Sequence, residues 1–333
     1  MKLTNKKIPQ ILQFKNTYTI DYPWAVELAD KQNSVFWTHD EVEVEKSLQD
    51  ILVEATESER HGILTVLRLF VKYELTVNDY WSGYVAKNFP RPDIQRMASS
   101  FAFFETNVHG PFYAKINELL HLDTDEFYNS YVDDPVLKDR VDFLDEVLNS
   151  PDVLYSTAVF SMIEGAVLYS SFAFLKHFQT QGKNLMKDLV AGINFSVRDE
   201  NLHSIGGAAL FNQLFKESEL EPFQVEMLEE QIYNAAKVIQ EHEFKIVDKI
   251  FEKGRISNIN KRQMKTFINS RINLCLMNIG LEAQFDEEDN TIADWFYTGI
   301  SAAKIHDFFN TQGNNYHRKW SDTRFAEAWK TKE

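Results

Sequence analysis

Residues 160–203 hold the feature that most restricts how this chain can fold. One acidic residue, Glu164, lies inside an otherwise largely apolar run from Val159 to Leu175, and beyond a polar turn comes Asp199-Glu200-x-x-His203. A carboxylate in an apolar helix is costly to bury unless a proton or a cation neutralises it. Glu and His three residues apart share one helix face, so both can point at one ion. A comparable pair, Glu105 and His109, lies upstream in Phe101-Ala-Phe-Phe-Glu105-Thr-Asn-Val-His109-Gly-Pro-Phe-Tyr113. Glu74 falls within the helical apolar pattern of Ile63, Val66, Leu67, Phe70, Val71, Leu75 and Val77. A single Glu-x-x-His is common by chance; acids and imidazoles on four successive long helices are not.

Together these are four carboxylates and two imidazoles: Glu74, Glu105 with His109, Glu164, and Glu200 with His203. Two divalent cations would cancel the four negative charges, so the count of acids is itself an electrostatic argument for a dinuclear centre. Oxygen and nitrogen donors without thiolate suit iron or manganese better than a structural zinc. A Glu on one helix and Glu-x-x-His on the next is half of the site built by dinuclear carboxylate four-helix bundles, and the upstream helices supply the other half.

The rest of the chain supplies helices to carry such a site. Gly and Pro number only 12 and 8 in 333 residues, and few breakers between long periodic segments predict an all-α protein. Helices are predicted at about 57–86, 93–120, 151–180, 184–217, 222–254, 259–283 and 290–309, with two short ones within 121–150. Residues 1–33 read as irregular, punctuated by Pro9 and Pro23, and Asp40 as the N-cap of a short helix. No internal repeat or linker is evident, which predicts one domain over 1–333, with a core at about 34–310 and a flexible tail at 311–333. A formal charge of −15 without a basic stripe excludes nucleic acid as a partner. One cysteine, Cys275, excludes a disulfide framework. MKLTNKKIPQ lacks the apolar segment of a signal peptide, and no apolar run reads as long enough to span a membrane. The expectation is a cytoplasmic protein with no membrane partner.

The segments FVKYELTVNDYW, FAFFETNVHGPFY, MIEGAVLYSSFAFL and FSVRDENLHSIGG resemble the radical-generating small (beta) subunit of class I ribonucleotide reductase, over about residues 34–320. The resemblance implies a ferritin-like helical bundle, with a dinuclear metal site between four long helices ligated by Glu74, Glu105, His109, Glu164, Glu200 and His203. It implies that the metal pair reacts with dioxygen and stores a one-electron oxidant. That oxidant passes to a cysteine of a separate large (alpha) subunit, which makes deoxyribonucleotides. Two irons are the first expectation, with Mn/Fe and Mn/Mn pairs as alternatives. By the same resemblance the protein is a homodimer, inactive as a reductase without the large subunit. Trp37, in SVFWTHDEV, would begin the radical path, and Asp199 would link it to His109. Tyr316, in FFNTQGNNYHRKW, would carry the radical between subunits on a C-terminal tail that docks to the large subunit.

Two departures from the family pattern affect the site. Glu74 stands where most of the family has Asp, which leaves the metal open. Glu105 and His109 are four residues apart where the family usually has three; that spacing still shares a helix face, or the extra residue is taken up in a π-bulge. Counting from the histidine makes Tyr113 the radical residue. Counting from the glutamate gives Phe112 and puts the oxidant on the metals instead. Tyr113 is preferred, because HGPFY keeps the histidine-to-tyrosine interval. Phe103, Phe104, Phe112 and Phe172 are expected to exclude water. Two rival readings share the six ligands: a di-iron oxidase or desaturase acting directly on a hydrocarbon or lipid, and a ferritin-like iron-binding protein. Neither needs Trp37, Asp199 or Tyr316.

Overall fold

The computed structural model describes residues 8–297 and residue 300; the rest of the helix predicted at 290–309, the tail at 311–333 and Tyr316 lie outside the described residues. Among the described residues there are helices and turns but no strand. The principal helices are α1 (Pro23–Ser34), α2 (Glu57–Asp79), α3 (Pro92–Phe104), α4 (Gly110–Leu119), α5 (Pro135–Leu148), α6 (Val153–Ala166), α7 (Tyr169–Lys176), α8 (Lys187–Glu217), α9 (Pro222–Ile250) and α10 (Lys261–Asn278).

Their starts follow from local chemistry. Thr56 accepts from the Glu59 N–H while the Glu59 carboxylate accepts from the Thr56 N–H, a capping box that opens α2. Asn260 and Gln263 do the same for α10. Two sequence expectations are corrected here. Pro23 does not break the chain: it occupies the first turn of α1, where its missing N–H costs nothing. The short 3-10 turn His39–Glu41 is capped by Thr38 with Glu41, not by Asp40.

Of the long helices that carry the six candidate ligands, α8 is unbroken over Lys187–Glu217, and the others are irregular near the site. After Asp79, α2 runs into a π turn at Tyr80–Val85. A second π turn, Glu105–His109, joins α3 to α4. It absorbs the extra residue between glutamate and histidine, one of the two outcomes that the sequence allowed. The helix predicted at 151–180 is broken at Val167–Leu168, where Leu168 has φ 71°.

The stretch Val153–Gln179 is long and apolar enough to cross a membrane by length and composition, contrary to the sequence reading, but its most apolar 18-residue window is buried inside the protein. A helix that is apolar all round belongs at the centre of a bundle. Accordingly α6 packs against α5, α8, α9 and α10. Its approach to α8 is close enough to require glycine: a Cβ added at Gly207 would lie 3.0 Å from Ser161 Cβ and 3.1 Å from Ser161 Cα. Gly207→Ala is therefore expected to cost about 1–3 kcal/mol by overpacking. Gly83→Ala, whose Cβ meets nothing within 4 Å, should leave the midpoint of thermal unfolding unchanged or raised. Calorimetry of the two variants beside the parent protein reads the difference.

Candidate metal centre

Six side chains predicted to meet do meet. Glu74 (α2), Glu105 and His109 (the π turn), Glu164 (α6), and Glu200 and His203 (α8) are each no more than 1% exposed. Their donor atoms form two groups, in each of which all atoms lie within 4.8 Å of one another: Glu74, Glu105, His109 and Glu200, and Glu105, Glu164, Glu200 and His203. Glu105 and Glu200 belong to both. His109 Nδ1 lies 3.0 Å from Glu105 Oε2, 3.3 Å from Glu200 Oε1 and 3.6 Å from Glu74 Oε2. His203 Nδ1 lies 2.5 Å from Glu105 Oε1 and 3.6 Å from Glu200 Oε2.

So much buried charge perturbs every member. Burial, and then repulsion by Glu105, push Glu74 well above the usual carboxylate range. Burial with Glu200 and Glu105 does the same to Glu164. Burial also penalises the Glu105 charge, but His203 and His109 outweigh it and hold that carboxyl low. The imidazoles respond in the opposite sense: burial disfavours their protonation, yet Glu105 and its neighbours raise His109 well above its ordinary value and His203 to about 9. Without a metal, then, protons on Glu74, Glu164 and the imidazoles balance the cluster.

The residues fit a pair of divalent cations. Both oxygens of Glu74 and of Glu200, Glu164 Oε2, Glu105 Oε1 and both nitrogens of His203 are buried without a hydrogen-bond partner of good geometry. Lone pairs crowded together in this way are costly in protein alone, and a hard cation satisfies them.

Around the six, the structure places the other predicted residues and two that sequence reasoning missed. Trp37, 2% exposed, donates from Nε1 to Asp199 Oδ2 at 2.8 Å, and the same oxygen lies 3.2 Å from His109 Nε2. Arg198 was not foreseen. It donates from Nε to Asp199 Oδ1 at 3.1 Å and from Nη2 to the Val35 carbonyl at 2.6 Å, fixing Asp199 against the segment that bears Trp37. Burial works against the Asp199 charge, but His109 and Arg198 hold its carboxyl below the ordinary range. Trp81 was also missed; from the first π turn its Nε1 donates to Glu164 Oε1 at 2.6 Å. The available signal was its place in FVKYELTVNDYW, seven residues after Glu74 and so on the same helix face.

Tyr113 and Phe112 point to different neighbours. Phe112 packs on Trp37 at 5.6 Å between ring centroids, and its ring fills the space beside Gly192. Tyr113 packs on Phe70 at 4.4 Å, and Phe70 on Phe172 at 5.8 Å. Burial, and then the Glu74 carboxylate, raise the Tyr113 phenol well above its ordinary value, with His109 and the Ser196 hydroxyl acting the other way. Phe104, Phe112 and Phe172 are buried as expected, whereas Phe103 is 45% exposed and packs on Phe36 at the surface.

Fold and site together define a class, the helical bundle whose inward carboxylates and imidazoles are arranged to hold two metal ions. Within it the sequence is decisive: residues 15–291 match the family described as ribonucleotide reductase, small chain, and this chain belongs to that family, with its ferritin-like fold. The ribonucleoside-diphosphate reductase subunit beta of Halalkalibacterium halodurans is 23% identical over 337 residues, covering 98% of this chain and 94% of its own. The subunit M2 of Mesocricetus auratus is 24% identical over 311 residues, covering 90% and 75% respectively. The crystal structure of Streptococcus sanguinis dimanganese(II)-NrdF superimposes with a TM-score of 0.74 at 19% identity, over 87% of this chain and 99% of NrdF.

Because the metal-free cluster holds protons on groups with raised pKa values, divalent metal has to displace them. Mn(II) binding is therefore expected to release protons at pH 7.5 and to tighten as pH rises through the His203 value of about 9. Titration calorimetry in buffers of different ionisation enthalpy counts the protons; binding without release contradicts the expectation.

Proposed function

We propose that this chain acts as the small (beta) subunit of a class I ribonucleoside-diphosphate reductase, holding a dinuclear metal centre and passing an oxidising equivalent to a large catalytic subunit. The observation that carries this reading is the contact chain Trp37 Nε1–Asp199 Oδ2–His109 Nε2, which joins an indole to a candidate metal-binding imidazole through one carboxylate oxygen. An oxidase acting on its own bound substrate, or an iron-storage protein, has no use for such a path.

In this reading Glu74, Glu105, His109 and Glu200 would hold one ion and Glu105, Glu164, Glu200 and His203 the other, Glu105 and Glu200 belonging to both groups. Bound metal supplies the reaction with dioxygen and the one-electron oxidation; two irons are our first assignment, with Mn/Fe and Mn/Mn as alternatives. By accepting the His109 Nε2 proton in a hydrogen bond, Asp199 keeps the Nδ1 lone pair free on the side of Glu74, Glu105 and Glu200, where it could ligate an ion. Trp81 orients Glu164 in the same way from its other side.

We place the stored radical on Tyr113. Its phenol is held protonated by burial, so loss of an electron has to be accompanied by loss of the hydroxyl proton. Glu74 is the carboxylate whose charge acts most strongly on it. Phe70, Phe112 and Phe172, each fully buried, wall the ring off from water and reductants. From Trp37 the equivalent would pass to Tyr316 on a C-terminal tail that docks to the large subunit. We assign the protein as a homodimer in the cytoplasm, with no reductase activity alone.

Assay with a purified large subunit tests this. The parent protein should support deoxyribonucleotide formation, while Trp37→Phe, Tyr113→Phe and Tyr316→Phe each fall to background with metal content and thermal stability unchanged. Electron paramagnetic resonance of aerobically activated protein should show a tyrosyl signal that Tyr113→Phe abolishes. Full turnover by Tyr113→Phe, with a coupled metal signal instead, would move the oxidant to the metals.

A further inference from the structure

Nothing in Ala166-Val167-Leu168-Tyr169 calls for the break between α6 and α7. There is no Gly or Pro, and a buried leucine with φ 71° is a conformation that side chains of this size rarely adopt. The break therefore has to be held from outside. Two buried ionic side chains on other helices meet the backbone groups that it frees.

At the end of α6, Arg271 of α10 donates from Nε to the Gly165 carbonyl at 2.9 Å. Its Nη1 and Nη2 donate to Tyr297 Oη and Asn201 Oδ1, and its guanidinium lies 4.0 Å from the centre of the Tyr169 ring. At the start of α7, Glu243 of α9 accepts from Ser170 Oγ at 2.5 Å, and the backbone amides of Ser170 and Leu168 also act on its carboxylate. Arg140 of α5 lies 2.6 Å from Glu243 Oε1. A cation thus sits at the C-terminal end of one helix and an anion at the N-terminal end of the next, the signs that the helix dipoles favour.

The consequence falls on Glu164. Its following neighbour is held through the Gly165 carbonyl by Arg271, and its preceding neighbour through the Ile163 carbonyl, which accepts from Tyr73 Oη at 2.9 Å. We propose that Glu243 and Arg271 are positioning residues for the metal centre, holding the α6–α7 break and so setting Glu164 against Glu200 and His203. This rests on the metal-site reading above. The ion held by Glu164 and His203 depends on the break; the ion held by Glu74 and His109, carried on α2 and the π turn, does not.

The test uses the metal-free full chain and Mn(II) alone. The parent protein should take up two Mn(II) per chain and give a coupled-pair paramagnetic spectrum. A parent protein that binds no pair overturns the metal site itself, and this is seen before any variant is made. Arg140→Met/Glu243→Gln keeps an acceptor for Ser170 with no buried charge left unpaired and should behave as the parent. Arg140→Met/Glu243→Leu removes the acceptor without stranding a buried charge. It should bind one Mn(II) as the parent does and the second about 10–100-fold more weakly, with an isolated-ion spectrum replacing the coupled one. Hydrogen–deuterium exchange over 163–171 should change in Arg140→Met/Glu243→Leu and in Arg271→Met, and not in Arg140→Met/Glu243→Gln. Arg271→Met provides a separate route to the same selective loss. A folded Arg140→Met/Glu243→Leu or Arg271→Met that keeps both affinities overturns the proposal. Equal weakening of both ions with exchange over 163–171 unchanged overturns it as well.

Discussion

Four carboxylates within a few ångströms of one another, out of reach of water, repel each other strongly, and the structure is arranged around that repulsion. In a medium of low polarity like charges at such distances cannot all persist. Protons or cations have to enter the cluster. The two imidazoles, Trp81 and the Asp199–His109 contact relieve part of the cost, but the oxygens of Glu74 and Glu200 make no hydrogen bond of good geometry, so part of it is left unmet.

The helices carry the mark of this constraint. A regular α-helix brings every third or fourth side chain to one face, yet the segments that bring in Glu74, Glu105 with His109, and Glu164 depart from that regularity beside the site, while α8 runs unbroken. The π turn Glu105–His109 contains two candidate ligands, the π turn at Tyr80–Val85 brings in Trp81, and the Val167–Leu168 break follows Glu164 by three residues. Such irregularities are costly in isolation, and they persist where packing and buried hydrogen bonds over-determine them. The Arg271–Gly165 and Glu243–Ser170 contacts are the clearest instance.

Much of this was legible in the chain. The six candidate ligands stood out because an acid inside an apolar helical pattern has few structural explanations, and because their total charge matched two divalent ions. The all-α class followed from sparse glycine and proline with long 3.6-residue periodicity. Less visible were features that depend on a distant partner. Arg198 and Trp81 are ordinary in composition, and their roles appear only when α8 and the first π turn face Asp199 and Glu164. Phe103 looked like part of an aromatic wall, yet it lies on the outer face of α3, because adjacent residues of a helix point in different directions.

The sequence by itself determined which side chains had to be sheltered together, since burial penalties and charge balance belong to residue types and are already present in an unfolded chain. Only the tertiary structure decided between a shared helix face and a π turn for Glu105 and His109, and set Tyr113 on Phe70 and Phe112 on Trp37. It also decided where the long apolar helix breaks. Those outcomes turn on small differences in packing and hydrogen bonding between segments far apart in the chain, and local propensity carries no record of them.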